Sequence, residues 1–218
     1  FITYCQRIAA ILLLPAIIAI VALMMKKDHQ EPLIAYNEVT APYGMVSSLT
    51  LPDSSKVWLN AGSTLKYPAA FTSNVREVEM SGEAYFEVHA DKEHPFIVNT
   101  GDLKVTATGT AFNICSFAKA QEEVITLVTG KVAVSQENNI KHLLPGQQLN
   151  YQRASKSMEI TDIDTYKYIS WKDGILAFRD DPLKSIFNRL EQVYQVRFIL
   201  KDTSINQFTY RATFKGET

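Results

Sequence analysis

Histidine, cysteine and carboxylate side chains are the residues of this chain that could bind a metal or move a proton. The four histidines are His29, His89, His94 and His142, and none lies four residues from another ligand-type side chain on a predicted helix. The two cysteines are far apart in the sequence, so no cysteine pair can nucleate a zinc site. The spacing therefore predicts neither a metal site nor a cofactor site.

Two carboxylate patterns could support acid–base chemistry. Glu83, Glu87 and His89 alternate on a predicted strand and share a face, but a solvated strand face explains them equally well and is favoured. Asp180 and Asp181 resemble a carboxylate pair, although capping of the helix that follows accounts for them. The chain also lacks a G-x-S-x-G motif and a glycine-rich phosphate loop. We therefore predict no catalytic residues and a protein that is not an enzyme.

Length and composition limit the remaining classes. The 218 residues favour one or two domains, and a hydrophobic content of 46% is enough for a normal core. The formal net charge of −1 disfavours nucleic acid as the main partner, since such proteins carry a basic excess.

A hydrophobic segment near the start of the chain predicts a membrane anchor, residues 1–27 with a helix over 8–25. The 18 residues from Ile8 to Met25 carry no charged or polar side chain. As a helix they span roughly 27 Å, close to the thickness of the hydrocarbon core. Arg7 and Lys26–Lys27 bracket the segment and could reach the two head-group layers. A signal peptide and a buried core helix are the alternatives.

Pro15 lies in the middle of this segment and removes one backbone donor, which kinks a helix. A harmless kink is one interpretation, and a weak point for an intramembrane protease is the other. The flanking charges, one Arg before and two Lys after, place the following body in the cytoplasm.

After a polar linker, residues 28–38, the pattern becomes that of a β domain over residues 39–160. Short runs alternate apolar and polar residues, and turn residues interrupt them roughly every 8–12 positions. One predicted turn, at Ser81–Gly82, separates a strand over 76–80 from a strand over 84–88. The pattern predicts a mainly β fold, as a sandwich, a barrel or a solenoid.

The last part of the chain, residues 166–218, predicts a small α+β module in the order β-α-β-β. A strand over 174–178 precedes a helix with one apolar face, and strands over 196–200 and 210–214 follow. The pattern stops abruptly, so we expect an incomplete module with an unpaired strand edge. That edge is a candidate site for strand addition by a partner, with four residues proposed: Phe208, Tyr210, Ala212 and Phe214.

Several stretches carry a resemblance to a known family. The strongest are residues 76–88 (REVEMSGEAYFEV), 95–98 (PFIV) and 108–113 (TGTAFN), and further matches lie at 51–60, 127–132, 144–148 and 171–194. Together they resemble the FecR family of sigma-factor regulators, and the tail is similar to the small domain, related to secretin and TonB short N-terminal domains, of many Bacteroidetes members. The chain departs from the family at Ser54, where a glycine is common.

The resemblance implies a solenoid-like or sandwich β domain and a role in signalling. Such proteins sit in the inner membrane, and a cytoplasmic segment, which we expect to precede Phe1, holds or activates an extracytoplasmic-function sigma factor. Their periplasmic body contacts the signalling domain of a TonB-dependent outer-membrane transporter. Periplasmic and intramembrane proteases then cut them stepwise. We follow this orientation, with the body in the periplasm, against the weak charge count.

One other function fits a tethered β body that is not an enzyme. A membrane-tethered periplasmic scaffold or glycan-binding module would show exposed aromatic side chains on one β face. Retention of sugar by the body, rather than of a transporter domain, would distinguish it from a relay.

Overall fold

The computed structural model describes residues 13, 15–18, 35–201 and 204–216, and the chain divides into two compact units, 1–34 and 35–218. The predicted anchor helix over 8–25 lies outside the described residues except for Leu13 and residues 15–18, which are helical and include Pro15. Among the described residues, no helix has both the length and the apolarity needed to cross a bilayer. Most of the predicted linker also lies outside them, and the first strand begins at Tyr36.

Thirteen strands of the second unit join into one large sheet, which forms a nearly closed barrel. The strands are β1 (Tyr36–Thr40), β2 (Ser47–Thr50), β3 (Lys56–Leu59), β4 (Thr64–Pro68), β5 (Arg76–Glu87), β6 (Phe96–Asn99), β7 (Lys104–Ala107), β8 (Ala111–Ser116), β9 (Glu122–Thr129), β10 (Val132–Gln136), β11 (Asn139–Leu143), β12 (Gln147–Gln152) and β13 (Ser157–Asp162).

The long strand β5 joins the two halves of this sheet. Its first half pairs with β4 and β6, and its second half pairs with β3 and β8. Gly82 marks the change, with a φ of 106° and a position where a Cβ would lie 2.4 Å from the Ser63 Oγ atom. The predicted turn at Ser81–Gly82 was therefore wrong: glycine is required there because the strand bends in close contact with a neighbour.

The barrel encloses one apolar core. Phe86 stacks on Phe112 with ring centroids 5.2 Å apart, and its ring lies 6.1 Å from that of Phe96. All three side chains are fully buried, as alternation along β5, β6 and β8 predicts. The mainly β prediction is thus confirmed. The solenoid-like or sandwich form implied by the resemblance is replaced by a barrel, because β5 belongs to both halves and makes the sheet continuous.

The C-terminal module has a different order from the predicted one. A short helix (Tyr166–Ile169) and a 3₁₀ turn (Ser170–Asp173) precede β14 (Ile175–Pro182), the C-terminal helix (Leu183–Tyr194), a second 3₁₀ turn (Ser204–Gln207) and β15 (Thr209–Lys215). Strands β14 and β15 form an antiparallel pair with a register shift between Phe178 and Asp181.

The predicted strand over 196–200 is not formed. Gln195 ends the C-terminal helix with a φ of 53°, and the Phe198 amide then donates to the Glu191 carboxylate at 2.6 Å. The Phe198 ring also stacks on Phe187 at 4.5 Å. These contacts hold the segment against the helix, so from β14 onward the observed order of strands and helices is β-α-β.

The predicted capping of the C-terminal helix by Asp180 and Asp181 was also wrong. Pro182 occupies the N-cap position, and no side chain there accepts a capping hydrogen bond. Asp181 instead accepts from the Arg179 amide at 2.8 Å and pairs with Lys167. Asp181 therefore stabilises the bulge of β14 rather than the start of the helix, and Asp180 pairs with Arg211 on β15.

Candidate protein-docking surface

Strand β15 lies at the edge of the two-stranded sheet in the part of the chain that the structure describes. Among the described residues, β15 pairs with β14 on one side and with no strand on the other. Phe208, Tyr210 and Phe214 are 52%, 43% and 46% exposed, whereas Ala212 is partly buried and packs inward. The structure thus brings the four proposed docking residues together on or beside one strand.

The backbone of this edge is available for hydrogen bonds. The Gly216 amide donates to the Gly174 carbonyl at 2.7 Å, so the backbone amide at this position points towards the β14 side. Because amides alternate in direction along an antiparallel strand, those of Thr213 and Lys215 point away from β14. They face the side on which a partner strand could add.

An apolar cavity of about 160 Å³ adjoins β15 at the junction with the barrel. The barrel contributes Val46, and the module contributes Leu176, Val193, Tyr194 and Phe214. Val46, Tyr194 and Phe214 are each more than 40% exposed. A patch of this kind, partly open to solvent, is typical of a surface that binds another protein.

A second apolar cluster holds the module on the outer face of the barrel. Tyr85 of β5 packs with Trp171, Leu176, Phe178 and Ile186 of the module, and all five are buried. The predicted apolar face of the C-terminal helix supplies part of this contact. The edge of β15 therefore belongs to a module that packs directly on the barrel.

A chain of buried polar side chains runs through the same contact. The Trp171 indole N–H donates to the Asn113 Oδ1 atom at 3.2 Å, and the Asn113 amide donates to Glu83 at 3.1 Å. Asn60 donates to the other oxygen of Glu83 at 2.6 Å. Buried carboxylates need such partners, and here two amides supply them.

The interpretation of Glu83, Glu87 and His89 as one solvated strand face is wrong at Glu83. Glu83 is 9% exposed and accepts hydrogen bonds from Asn60 and Asn113, while Glu87 and His89 remain exposed. Sequence reasoning missed Glu83, Asn60 and Asn113 as structural residues, because Trp171, which completes their hydrogen-bonded chain, lies more than fifty residues after Asn113. Their polar residue types alone do not predict burial.

Two titratable side chains near this contact, Tyr85 and Cys115, are favoured in their neutral forms. Burial, with the nearby charges of Glu87 and Asp173, raises the pKa of Tyr85 to about 12, so its hydroxyl stays protonated. The Lys172 ammonium lies over the Tyr85 and Trp58 rings, 5.4 and 5.6 Å from their centroids. Burial also raises the pKa of the Cys115 thiol, which is thus a weak nucleophile.

Metal-binding residues do not cluster in the part of the chain that the structure describes. No three of its His, Cys, Asp and Glu side chains are placed to hold an ion together. His94 instead pairs with Asp91, with its Nδ1 atom 2.8 Å from the carboxylate, and both are partly exposed.

Comparison with known proteins agrees with this architecture. The model of the family described as "FecR protein" matches residues 37–141, and that described as "FecR, C-terminal" matches residues 175–218. Two crystal structures of a proposed anti-sigma factor from Parabacteroides distasonis, at 2.50 and 1.65 Å resolution, each superpose with a TM-score of 0.76. Each is 31% identical over 84% of this chain and 86% of that chain. No protein with a curated description matches. The chain therefore belongs to the FecR family of sigma-factor regulators.

Proposed function

We propose that this regulator receives its signal at the open edge of β15, from the signalling domain of a TonB-dependent transporter, and relays it to an extracytoplasmic-function sigma factor. The observation that supports this is an edge strand with free amides and exposed aromatic side chains, carried on a base that packs on the barrel. A strand from the partner can pair with such an edge through main-chain hydrogen bonds. Phe208, Tyr210 and Phe214 can then bury apolar surface against it.

The relay also needs a route across a membrane. We place the chain in the inner membrane through the predicted anchor over 8–25, with the body in the periplasm. Docking then changes the access of periplasmic and intramembrane proteases to the anchor, and cleavage frees the part that acts on the sigma factor. A C-terminal alkaline-phosphatase fusion, which is active only outside the cytoplasm, tests the orientation.

Substitution of Thr213 tests docking by strand addition. Thr213→Pro removes an amide that points away from β14, so the β14–β15 pair keeps its own hydrogen bonds. We expect binding of the transporter's signalling domain to weaken at least tenfold, because one main-chain bond is lost and the ring blocks the approaching strand. Isothermal titration calorimetry on the full chain in detergent measures it.

Thr213→Val is the matched control, since it keeps the amide and a β-branched side chain at an exposed position. It should bind like the wild-type protein. Equal binding by the proline and valine variants, with unchanged thermal unfolding of both, would show that the partner docks elsewhere. Retention of oligosaccharide by the chain, without binding of a transporter domain, would favour the glycan-binding alternative.

A further inference from the structure

The two faces of β15 differ in chemistry. Tyr210, Ala212 and Phe214 alternate along the strand with Arg211, Thr213 and Lys215. Because side chains of a strand point alternately to opposite faces, the aromatic residues share one face and the two cations share the other. Any strand added to this edge meets an apolar row on one side and a basic row on the other.

Neighbouring carboxylates neutralise the two cations of this face only weakly. Arg211 pairs with Asp180 at 2.8 Å, but both side chains are 70% exposed, so the pair is weak and its guanidinium keeps free donors. Lys215 is exposed and makes no ion pair with any described residue. Two cations four residues apart on one face therefore stay available to an incoming carboxylate.

We propose that the partner segment recognised by β15 is a strand that alternates acidic and apolar residues. The inference rests on the proposed function, since it assumes that docking occurs by strand addition. Main-chain hydrogen bonds would accept almost any extended sequence, so side-chain pairs must provide the selectivity. Opposite charges across neighbouring strands stabilise pairing, and like charges oppose it. Acidic residues facing Arg211 and Lys215 would leave the other residues to cover Tyr210 and Phe214.

Three synthetic nine-residue peptides test this chemistry directly. Each alternates valine with one polar residue, which is glutamate, glutamine or lysine, and carries a fluorescent label. We expect the full chain in detergent to bind the glutamate peptide about tenfold more tightly than the lysine peptide at low salt, with glutamine between. The difference should shrink at high ionic strength, because exposed charges are screened. Fluorescence anisotropy gives the three dissociation constants.

Charge reversal on β15 should invert the preference. The double variant Arg211→Glu with Lys215→Glu is expected to favour the lysine peptide. The matched control, Lys184→Glu with Lys201→Glu, changes the net charge equally at exposed positions outside β15 and should keep the glutamate preference. Unchanged thermal unfolding of both double variants confirms that they fold.

The outcomes separate this inference from the function on which it rests. Equal affinity for all three peptides, with Thr213→Pro still weakening their binding, overturns the charge rule and leaves strand addition standing. Peptide binding that Thr213→Pro does not affect overturns strand addition as well. A molecular mass that rises with protein concentration, and stays monomeric in Thr213→Pro, would identify a second copy of the chain as the occupant and overturn the choice of partner.

Discussion

Glu123 is a carboxylate with no exposed surface in the wall of the barrel. The Thr100 hydroxyl donates to it at 2.5 Å, and Arg153 donates at 3.2 Å from a guanidinium that also binds Asp102 and three backbone carbonyls. Burial nevertheless raises the pKa of Glu123 above its ordinary value. The ionised form is thus less favourable in the folded chain than in the unfolded one.

A raised pKa in the folded state makes stability depend on pH in a defined direction. The contribution of Glu123 is fully present below its unfolded pKa, about 4.3, and is lost as the pH rises through its folded pKa. Glu123→Gln cannot ionise, so the melting temperature of the wild type minus that of the variant should fall between pH 4 and pH 8, by about a few degrees. Thermal unfolding followed by circular dichroism at several pH values measures it.

The exposed Glu159 of β13 provides the control for that experiment. Glu159→Gln makes the same chemical change at an exposed position and controls for the loss of one carboxylate. An offset of Glu123→Gln from the wild type that does not change with pH would show that the Arg153 contact fully compensates the burial of Glu123.

For single residues, the sequence predicted backbone conformation better than it predicted side-chain burial. Ser54, where the resembling family often has glycine, has a φ of 69°, which is the backbone shape that a glycine would supply. The aromatic residues of the core were predictable from alternation on their strands. The buried chain from Asn60 through Glu83 to Asn113 was not, because polar residues on a strand normally indicate solvent, and only the packed module reverses that.

The 3₁₀ turn over Ser170–Asp173 is the element that fastens the module to the barrel. Trp171 is 2% exposed, and its indole joins the apolar cluster and the polar chain at once. Trp171→Phe keeps most of the packing but leaves the Asn113 oxygen without its donor, at a cost of about 1–3 kcal/mol in the free energy of unfolding. Trp171→Ala also loses the packing and should cost about 3–5 kcal/mol. Urea unfolding measures both.

The contact of Trp171 with the barrel predicts that Trp171→Ala lowers the free energy of unfolding more than Trp171→Phe does. Trp58, the other tryptophan, is partly exposed under Lys172, so Trp58→Phe should cost less than Trp171→Phe. An equal, small cost for all three variants would show that the module is held by other contacts.

Elements with strong local patterns were predicted well, and elements defined by distant partners were not. The C-terminal helix follows from the spacing of Ile186, Leu190 and Val193, which indeed face the second cluster. The segment over 196–200 has the same alternation as a true strand, but a strand also needs a neighbour. The bend of β5 at Gly82 was mistaken for a turn because glycine marks both.

For the whole molecule, the mainly β class and a helical, strand-containing tail were evident from the sequence, whereas closure of the sheet was not. Closure depends on β5 pairing with four strands that come from both before and after it in the chain. No local pattern carries that information. The anchor stays a prediction from hydrophobicity, and the side of the membrane on which the body lies stays a prediction from the family resemblance.

The proposed role of Pro15 as a weak point concerns the whole molecule, because it would link the anchor to the signal. Pro15→Leu restores a backbone donor in the predicted membrane helix and should reduce intramembrane cleavage severalfold, since the added hydrogen bond makes the helix harder to unwind. Immunoblotting of the fragment released from the full protein in cells measures the effect. Ala16→Leu, an apolar change beside it, is the control, and unchanged release in Pro15→Leu excludes this role.

The shared strand β5 also sets the order in which the barrel can be assembled. A chain that emerges from its N-terminus can pair β5 with β3 and β4 at once, but the opposite side of β5 waits for β6 and then for β8, which ends at Ser116. Until then one side of this twelve-residue strand has no partner and is open to association with other chains. Such long-range pairing makes folding slow, on the order of milliseconds to seconds. A newly made chain therefore passes through a vulnerable interval that lasts until β8 is available for pairing.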